Sequence, residues 1–266
     1  MTETRAVETF SLVKQFGDFV AVDNIDLQVN RGSFFGFLGP NGAGKSTTIK
    51  MLTGLLAPTS GKLRVLGFDI SSQPMEVKRR IGVVPEDLNL FERLTGAEML
   101  SFTGRMYGVP TNEIAHRSKE LLDLMDLQDE PKKLIVEYSH GMKKKLSLAC
   151  ALIHRPEMLF LDEPFEGVDA IASRTLKDLL LRLTARGLTV FLTSHVLEIV
   201  ERLCSDIAII SQGKLLAAGP LAELRKGVGL TEEGQQKGPV SLEEYFVEVV
   251  GGAPATGEEE VLQWLG

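Results

Sequence analysis

Five short apolar runs punctuate the chain, at 34–38, 81–84, 158–161, 188–193 and 207–210. Most are rich in Phe, Val, Ile and Leu, the pattern of strands buried on both faces. Helical patterns lie between several of them, and that alternation predicts a mostly parallel α/β sheet. Segments 5–13, 19–29 and 62–67 alternate more between apolar and polar positions, with turn residues between them. They read as an antiparallel side sheet. Gln212-Gly213 separates Ile207–Ser211 from Lys214–Ala218 and predicts a hairpin.

Residues 87–155 follow another period. Ile114, Leu121, Leu122 and Met125 fall three or four apart, as do Met142, Leu146, Ala149 and Ile153. These are helix faces, so the block reads as an α-helical insertion between two strands of the core sheet. Ile171, Leu176, Leu179, Leu180 and Leu183 predict a further helix before 188–193. Beyond Ala222 the pattern weakens, and 226–240 has the glycine-rich composition of a linker. Ser241 with Glu244 forms a capping-box pattern, opening a short helix with Leu242, Tyr245, Phe246 and Val249 on one side. The expected organisation is one large unit over 1–222, then a linker and C-terminal accessory segment over 223–266.

With 266 residues, 44% of them apolar, the chain can bury a substantial core. Its formal charge is −7, and no basic tail or arginine-rich stripe is visible, so nucleic acid is not the expected partner. Cys150 and Cys204 each sit in an apolar segment and read as packed thiols in a reducing compartment. The four histidines show no ligand spacing for zinc. Residues 1–6 carry no signal-peptide pattern, and runs such as Leu146–Ile153 fall short of the roughly 20 residues a membrane span requires. The chain is therefore expected to be soluble in itself and to reach a membrane by docking on a protein that spans one.

The chemistry begins where the first apolar run ends. Gly39-Pro40-Asn41-Gly42-Ala43-Gly44-Lys45-Ser46 satisfies the phosphate-loop pattern G-x-x-x-x-G-K-[ST], and Thr47 to Leu56 reads as the start of a helix. The glycines let the backbone bend and turn its N–H groups inward, where they and the helix N-terminus attract phosphate. Lys45 adds a point charge for the β and γ phosphates, and the Ser46 hydroxyl is placed for Mg²⁺. The run 158–161 ends in Asp162-Glu163, which sets two carboxylates at the sheet edge where ligands of α/β sheets bind. Asp162 suits Mg²⁺, through water. Glu163 suits polarising the water that attacks the γ-phosphate.

Tyr138-Ser-His-Gly-Met142 precedes an amphipathic helix beginning near Lys143. Ser139 is a natural N-cap and Gly141 exposes backbone amides, while Lys143, Lys144 and Lys145 read as a solvated basic turn. His195 lies between a strand and a helix, where the helix N-terminus disfavours imidazolium; a neutral ring donating one N–H is expected.

Taken in order, these pieces resemble the nucleotide-binding subunit of an ATP-binding cassette (ABC) transporter, over about residues 5–222. Ile81-Gly-Val-Val-Pro-Glu86 resembles the family's Q-loop, 138–142 its signature LSGGQ, Leu159–Glu163 its Walker B strand and Glu166-Gly-Val-Asp169 its D-loop. His195 resembles the switch histidine, and Phe16 stands where an adenine-stacking aromatic is expected. The segment 241–249 resembles the accessory C-terminal segment of many export-type subunits.

The resemblance implies a P-loop NTPase fold, ATP and Mg²⁺ as ligands, and a head-to-tail dimer with a second copy. Each ATP then lies between one chain's phosphate loop, through Thr47, and the other's signature. Ser139 and Gly141 would contact the opposite γ-phosphate, Asp169 would organise the seam, and His195 would hold the γ-phosphate. Closure on ATP would drive a transmembrane permease subunit from the cytoplasmic face of the membrane. Glu86 stands for the usual glutamine, and can approach Mg²⁺; His140 and Met142 replace a glycine and a glutamine. Those departures resemble bacterial ABC-2-type exporters. The alternatives are a soluble ABC ATPase of translation or DNA repair, whose second cassette, zinc insertion or long arms are not visible, and a switch GTPase, whose N-K-x-D motif is not found. Leu88, Leu90, Phe91 and Leu94 lie in a loop-like segment and have two readings: packing under the insertion, or a groove for a helix of the transmembrane subunit.

Overall fold

The computed structural model describes residues 4–128, 131–226 and 241–251. In chain order the first half runs β1 (Arg5–Phe16), β2 (Phe19–Ile25), β3 (Gln28–Asn30), β4 (Phe34–Leu38), α1 (Lys45–Leu52), β5 (Ser60–Val65), β6 (Phe68–Asp69), α2 (Pro74–Lys78) and β7 (Ile81–Val84). Three helices follow, α3 (Gly96–Met106), α4 (Thr111–Leu124) and α5 (His140–Leu152). The second half runs β8 (Met158–Asp162), α6 (Ala170–Thr184), β9 (Thr189–Ser194), α7 (Leu197–Leu203), β10 (Asp206–Ser211), β11 (Lys214–Pro220), α8 (Leu221–Leu224) and α9 (Leu242–Gly251).

The central sheet has the order β11-β10-β4-β9-β8-β7. All its neighbours are parallel except the β10–β11 hairpin, which turns at Gln212-Gly213 as expected. A smaller antiparallel sheet, β2-β1-β5-β6 with β3 beside β1, lies to one side. The insertion helices α3, α4 and α5 all fall between β7 and β8.

Side chains alternate across the central sheet and build a core on each face. Leu159, Leu161, Val190, Leu192, Ile207 and Ile209 face the helical side, with α5, α6 and α7. Phe35, Phe37, Phe160, Phe191, Ala208 and Ile210 face α1 and the antiparallel sheet. Phe191 is the centre of that second core, with Phe35, Phe37 and Phe160 at ring-centroid distances of 5.4, 5.5 and 5.5 Å. Burial on both faces is the reason these strands read as unbroken apolar runs.

One glycine fixes a helix against the sheet. A Cβ on Gly36 would come within 2.8 Å of Val200 Cγ1 and 3.0 Å of Cys204 Sγ. Helix α7 therefore lies close on β4. Cys204 and Cys150 are buried free thiols, as the sequence indicates. Burial pushes the Cys150 thiol up to about 12, against a hydrogen bond with Thr103, and also raises that of Cys204.

Several boundaries differ from the sequence reading. Helix α1 opens at Lys45, because the left-handed Gly44 (φ 108°) ends the loop there. It closes at Leu52, where the Thr53 hydroxyl bonds back to the Ile49 carbonyl and Gly54 turns left-handed. Segment 19–29 is two strands, not one. Ile171, placed by periodicity on the α6 face, is 82% exposed in that helix's first turn. The Ser241–Glu244 capping box is formed in both directions, at 2.9 and 3.1 Å. Behind it Leu242 and Tyr245 are buried, and α9 packs on α7 and β11. The linker reading at 227–240 and the tail at 252–266 lie outside the described residues.

Candidate nucleotide site

The phosphate loop joins β4 to α1 at the sheet's C-terminal edge. Two of its glycines are required by close approach: a Cβ on Gly39 would lie 2.2 Å from the Ile210 carbonyl, and one on Gly44 2.4 Å from that of Ala21; Gly42 is instead set by its left-handed φ of 78°. The Lys45 ammonium donates to the carbonyls of Gly39 (2.7 Å) and Pro40 (3.2 Å), bracing the loop from within. The Ala43 N–H donates to Pro40, and the buried Ala43 in turn accepts from the Gly213 N–H at 3.0 Å.

A cleft of about 480 Å³ opens over this loop. Asn41, Gly42, Gly44, Lys45, Ser46 and Thr47 form its floor, and Glu86, Glu163 and His195 reach it from three other strand ends. Two further lining residues, Phe19 and Ala21, were not signalled by motif reading, and Glu166, the first residue of the D-loop run, was not expected on the cleft. Phe16 is outside the lining. It pairs with Phe19 across the hairpin, half exposed, with the Lys14 ammonium 4.9 Å from its ring centroid. The cleft's charged and hydroxyl-bearing wall distinguishes it from a more apolar cleft of about 540 Å³ between α3 and α4.

The strand-end carboxylates are built into the sheet. Asp162 is buried and accepts from the Thr193 hydroxyl at 2.5 Å. The same hydroxyl oxygen accepts from the Glu163 N–H at 3.2 Å, so one side chain of β9 ties both residues. The only sequence signal for Thr193 was a polar residue at the end of an apolar run. Glu163 itself has φ 46°, a left-handed backbone that costs a non-glycine residue roughly 1–2 kcal/mol. Its side chain is 8% exposed, with Oε1 3.1 Å from His195 Nδ1 and Oε2 3.4 Å from the His195 backbone N–H. For that first contact to be a hydrogen bond, Nδ1 must carry the proton. The N–H expected of His195 is thus directed at Glu163.

Residues 138–142 lie elsewhere. Ser139 caps α5, accepting from the Met142 N–H at 3.2 Å, which starts the helix at His140 and not near Lys143. Asp169 caps α6 through the N–H groups of Ile171 and Ala172, at 3.0 and 2.9 Å. The Ala172 bond, helped by the Ile171 bond and the Lys145 charge, holds its carboxyl below the usual range against desolvation, the second-largest influence. Gly141 faces Asp169, whose Oδ2 would be 3.6 Å from an added Cβ, and the His140 ring lies against Gly167. Ser139, Gly141 and Asp169 therefore form one cluster, in which Ser139 and Asp169 are exposed and Gly141 is buried, outside the lining of the phosphate-loop cleft.

The solvated basic turn is not what the structure contains. Lys143 bonds to Glu92 at 2.7 Å, Lys145 lies 3.9 Å from Asp126, and Lys144 donates to the Glu163 carbonyl at 3.0 Å. Lys144 and Lys145 are buried. A run of three lysines carries no period that separates a wet face from partners far away in sequence. Burial pushes the Lys144 ammonium's pKa down, while the carboxylates of Glu166, Asp162, Glu86 and Glu163 push it back up.

Comparison with known proteins agrees with this geometry. A family model described as ABC transporter matches residues 22–166. The daunorubicin/doxorubicin resistance ATP-binding protein of Streptomyces peucetius is 42% identical over 226 residues, covering 85% of this chain and 68% of that protein. The bacitracin transport ATP-binding protein of Bacillus licheniformis is 38% identical over 245 residues, covering 90% and 79%. A solved structure of an ATP-binding subunit of an ABC transporter superposes with a TM-score of 0.83 at 31% identity, covering 92% of this chain and 99% of that one.

Proposed function

The chain belongs to the ABC transporter family, and from that premise we propose that it powers export through a separate transmembrane permease subunit. It is an ATPase that binds ATP. The observation that carries the proposal is the division of its motifs. The phosphate loop, Glu86 and Glu163 share one cleft, while Ser139 and Gly141 lie on another surface with Asp169. A second copy, head to tail, brings that surface to the first chain's ATP.

Each residue then has a role. Lys45, the loop amides and Thr47 hold the phosphates. Phe19, the hairpin aromatic on the lining, stacks on adenine in place of Phe16. Ser46, Glu86 and Asp162 supply hydroxyl and carboxylate oxygens, a donor set that suits Mg²⁺; such an ion, when bound, offsets phosphate charge. Glu163 accepts the proton of the attacking water, and His195 holds that carboxylate through Nδ1. Export is supported by the relatives' names, one for drug resistance and one for bacitracin transport, which favour it over the translation or repair alternative. Among the described residues no helix is long and apolar enough to cross a membrane, and the permease subunit supplies that path. The chain works from the cytoplasmic face.

The dimer is tested by mass. Glu163→Gln protein is expected to be monomeric without nucleotide and dimeric with ATP, read by light scattering after size exclusion. A mass that ignores ATP overturns head-to-tail pairing of two copies.

The permease contact is narrower than the loop sequence suggested. Leu88, Leu90 and Leu94 pack against the main core, so the packing reading holds for them. Phe91 is 54% exposed and meets the exposed Phe102 of α3 edge to face at 5.1 Å. With Met106, also exposed, they form an apolar patch suited to a helix of the permease. Phe91→Asp is expected to leave folding and basal ATPase unchanged and to abolish co-purification with the permease. A folded variant that still captures it moves the contact elsewhere.

A further inference from the structure

Lys144 has no part in the reading above, yet its placement is costly to maintain. It is 2% exposed, and its ammonium donates to the Glu163 main-chain carbonyl at 3.0 Å. Burying an ammonium requires compensation by hydrogen bonds and opposite charge. Here the carboxylates of Glu166, Asp162, Glu86 and Glu163 supply the charge. Two of those four line the mouth of the cleft beside Glu163.

The carbonyl it holds belongs to the residue whose backbone is left-handed, at φ 46°. That conformation aims the Glu163 carboxylate at His195 and the cleft. The Glu163 N–H is anchored to Thr193 on β9, and its carbonyl to Lys144 on α5. Helix α5 is the helix capped by Ser139 and carrying Gly141 in its first turn. One ammonium therefore spans from the signature helix to the main chain of the strand-end carboxylate.

We propose that Lys144 is a positioning residue for hydrolysis: its buried ammonium holds the Glu163 turn and couples the pose of that carboxylate to helix α5. This rests on the assignment of Glu163 given above. The step it serves is unchanged; a proton passes from water to the Glu163 carboxylate, and Lys144 neither gives nor takes one. It acts on geometry, where small displacements of a reacting group cost about tenfold or more in rate.

The test uses the full chain with Lys144→Met, which keeps the aliphatic stem and removes the donor, beside Lys144→Arg and Glu163→Gln. For Lys144→Met we expect kcat to fall about tenfold, with KM for ATP within about twofold of the unaltered chain. Lys144→Arg should recover most of that loss, because its guanidinium can reach the same carbonyl. Adding Lys144→Met to Glu163→Gln should cost nothing further, since both act through one carboxylate. A kcat within twofold of the unaltered chain overturns the inference, as does an arginine variant no faster than the methionine one. So does a loss that appears equally in KM. If the methionine variant fails to fold by circular dichroism, Lys144→Gln, which retains a donor at lower charge, is put through the same kcat and KM comparison. Glu163→Gln run alongside separates the failures. If it stays active, the assignment of Glu163 falls; if it is inactive while Lys144→Met is normal, only the role of Lys144 falls.

Discussion

Glu163→Gln is expected to bind ATP as the unaltered chain does and to lose at least about 10²-fold in turnover. The geometry makes this substitution close to a pure test of charge. The Glu163 side chain is enclosed, and its backbone is held by Thr193 and Lys144, neither of which touches the carboxylate. A glutamine amide has the same shape, and its single oxygen can still accept from the His195 ring N–H now 3.1 Å from Oε1; only the longer 3.4 Å contact between Oε2 and the His195 backbone N–H is given up, because an NH2 group takes that place. What it lacks is a lone pair basic enough to take the proton of the attacking water. In the proposed reading phosphate binding falls to Lys45 and the loop amides, so affinity for ATP should be retained. Phosphate release measured at saturating ATP, with a parallel binding titration, decides the matter. Turnover near that of the unaltered chain would remove Glu163 from the reaction and leave Glu166 and Glu86 as the remaining carboxylates on the cleft.

The parts of this site that were legible in sequence are those whose physics is local. The phosphate loop is a run of eight residues whose pattern is read directly, although the contacts that demand Gly39 and Gly44, the Ile210 and Ala21 carbonyls, come from distant strands. Ser139 and Ser241 announce their helices because capping acts over three residues. Thr95 and Glu98, which form a capping box at the start of α3, carried the same signal and were open to the same reading. The strands were legible because burial on both faces leaves no polar alternation. What was hidden depends on register or on distance. Phe16 and Phe19 face each other across Gly17-Asp18, and only the hairpin's seating decides which ring reaches the cleft. Thr193 is 31 residues from Asp162, and Lys144 is 19 from Glu163. No periodicity links such pairs, so a buried lysine in a basic run looks like a wet one until the partner strand is in place.

Lys45→Ala is expected to weaken ATP binding by about 10- to 100-fold, the magnitude of losing one or two charge-assisted hydrogen bonds to phosphate. Lys45 is the first residue of α1 and is 8% exposed, so its charge is held at the loop and little screened. Its ammonium has three donors, two of them directed at the Gly39 and Pro40 carbonyls. Those contacts keep the Nζ at the loop, and in the proposed reading the remaining donor and the positive charge are left for triphosphate oxygens. Alanine removes both the charge and the internal brace, while the Gly39 and Gly44 contacts that shape the backbone stay in place. The chain should therefore remain folded, with a melting temperature lowered by no more than a few degrees. Titration with a fluorescent ATP analogue in the presence of Mg²⁺ measures the loss, and a second titration with an adenosine analogue lacking phosphates isolates its origin. The first should shift and the second should not. Equal affinity for ATP before and after the substitution would mean that the triphosphate binds somewhere other than this loop, and the roles of Ser46, Thr47, Glu86 and Glu163, which depend on that placement, would fall with it.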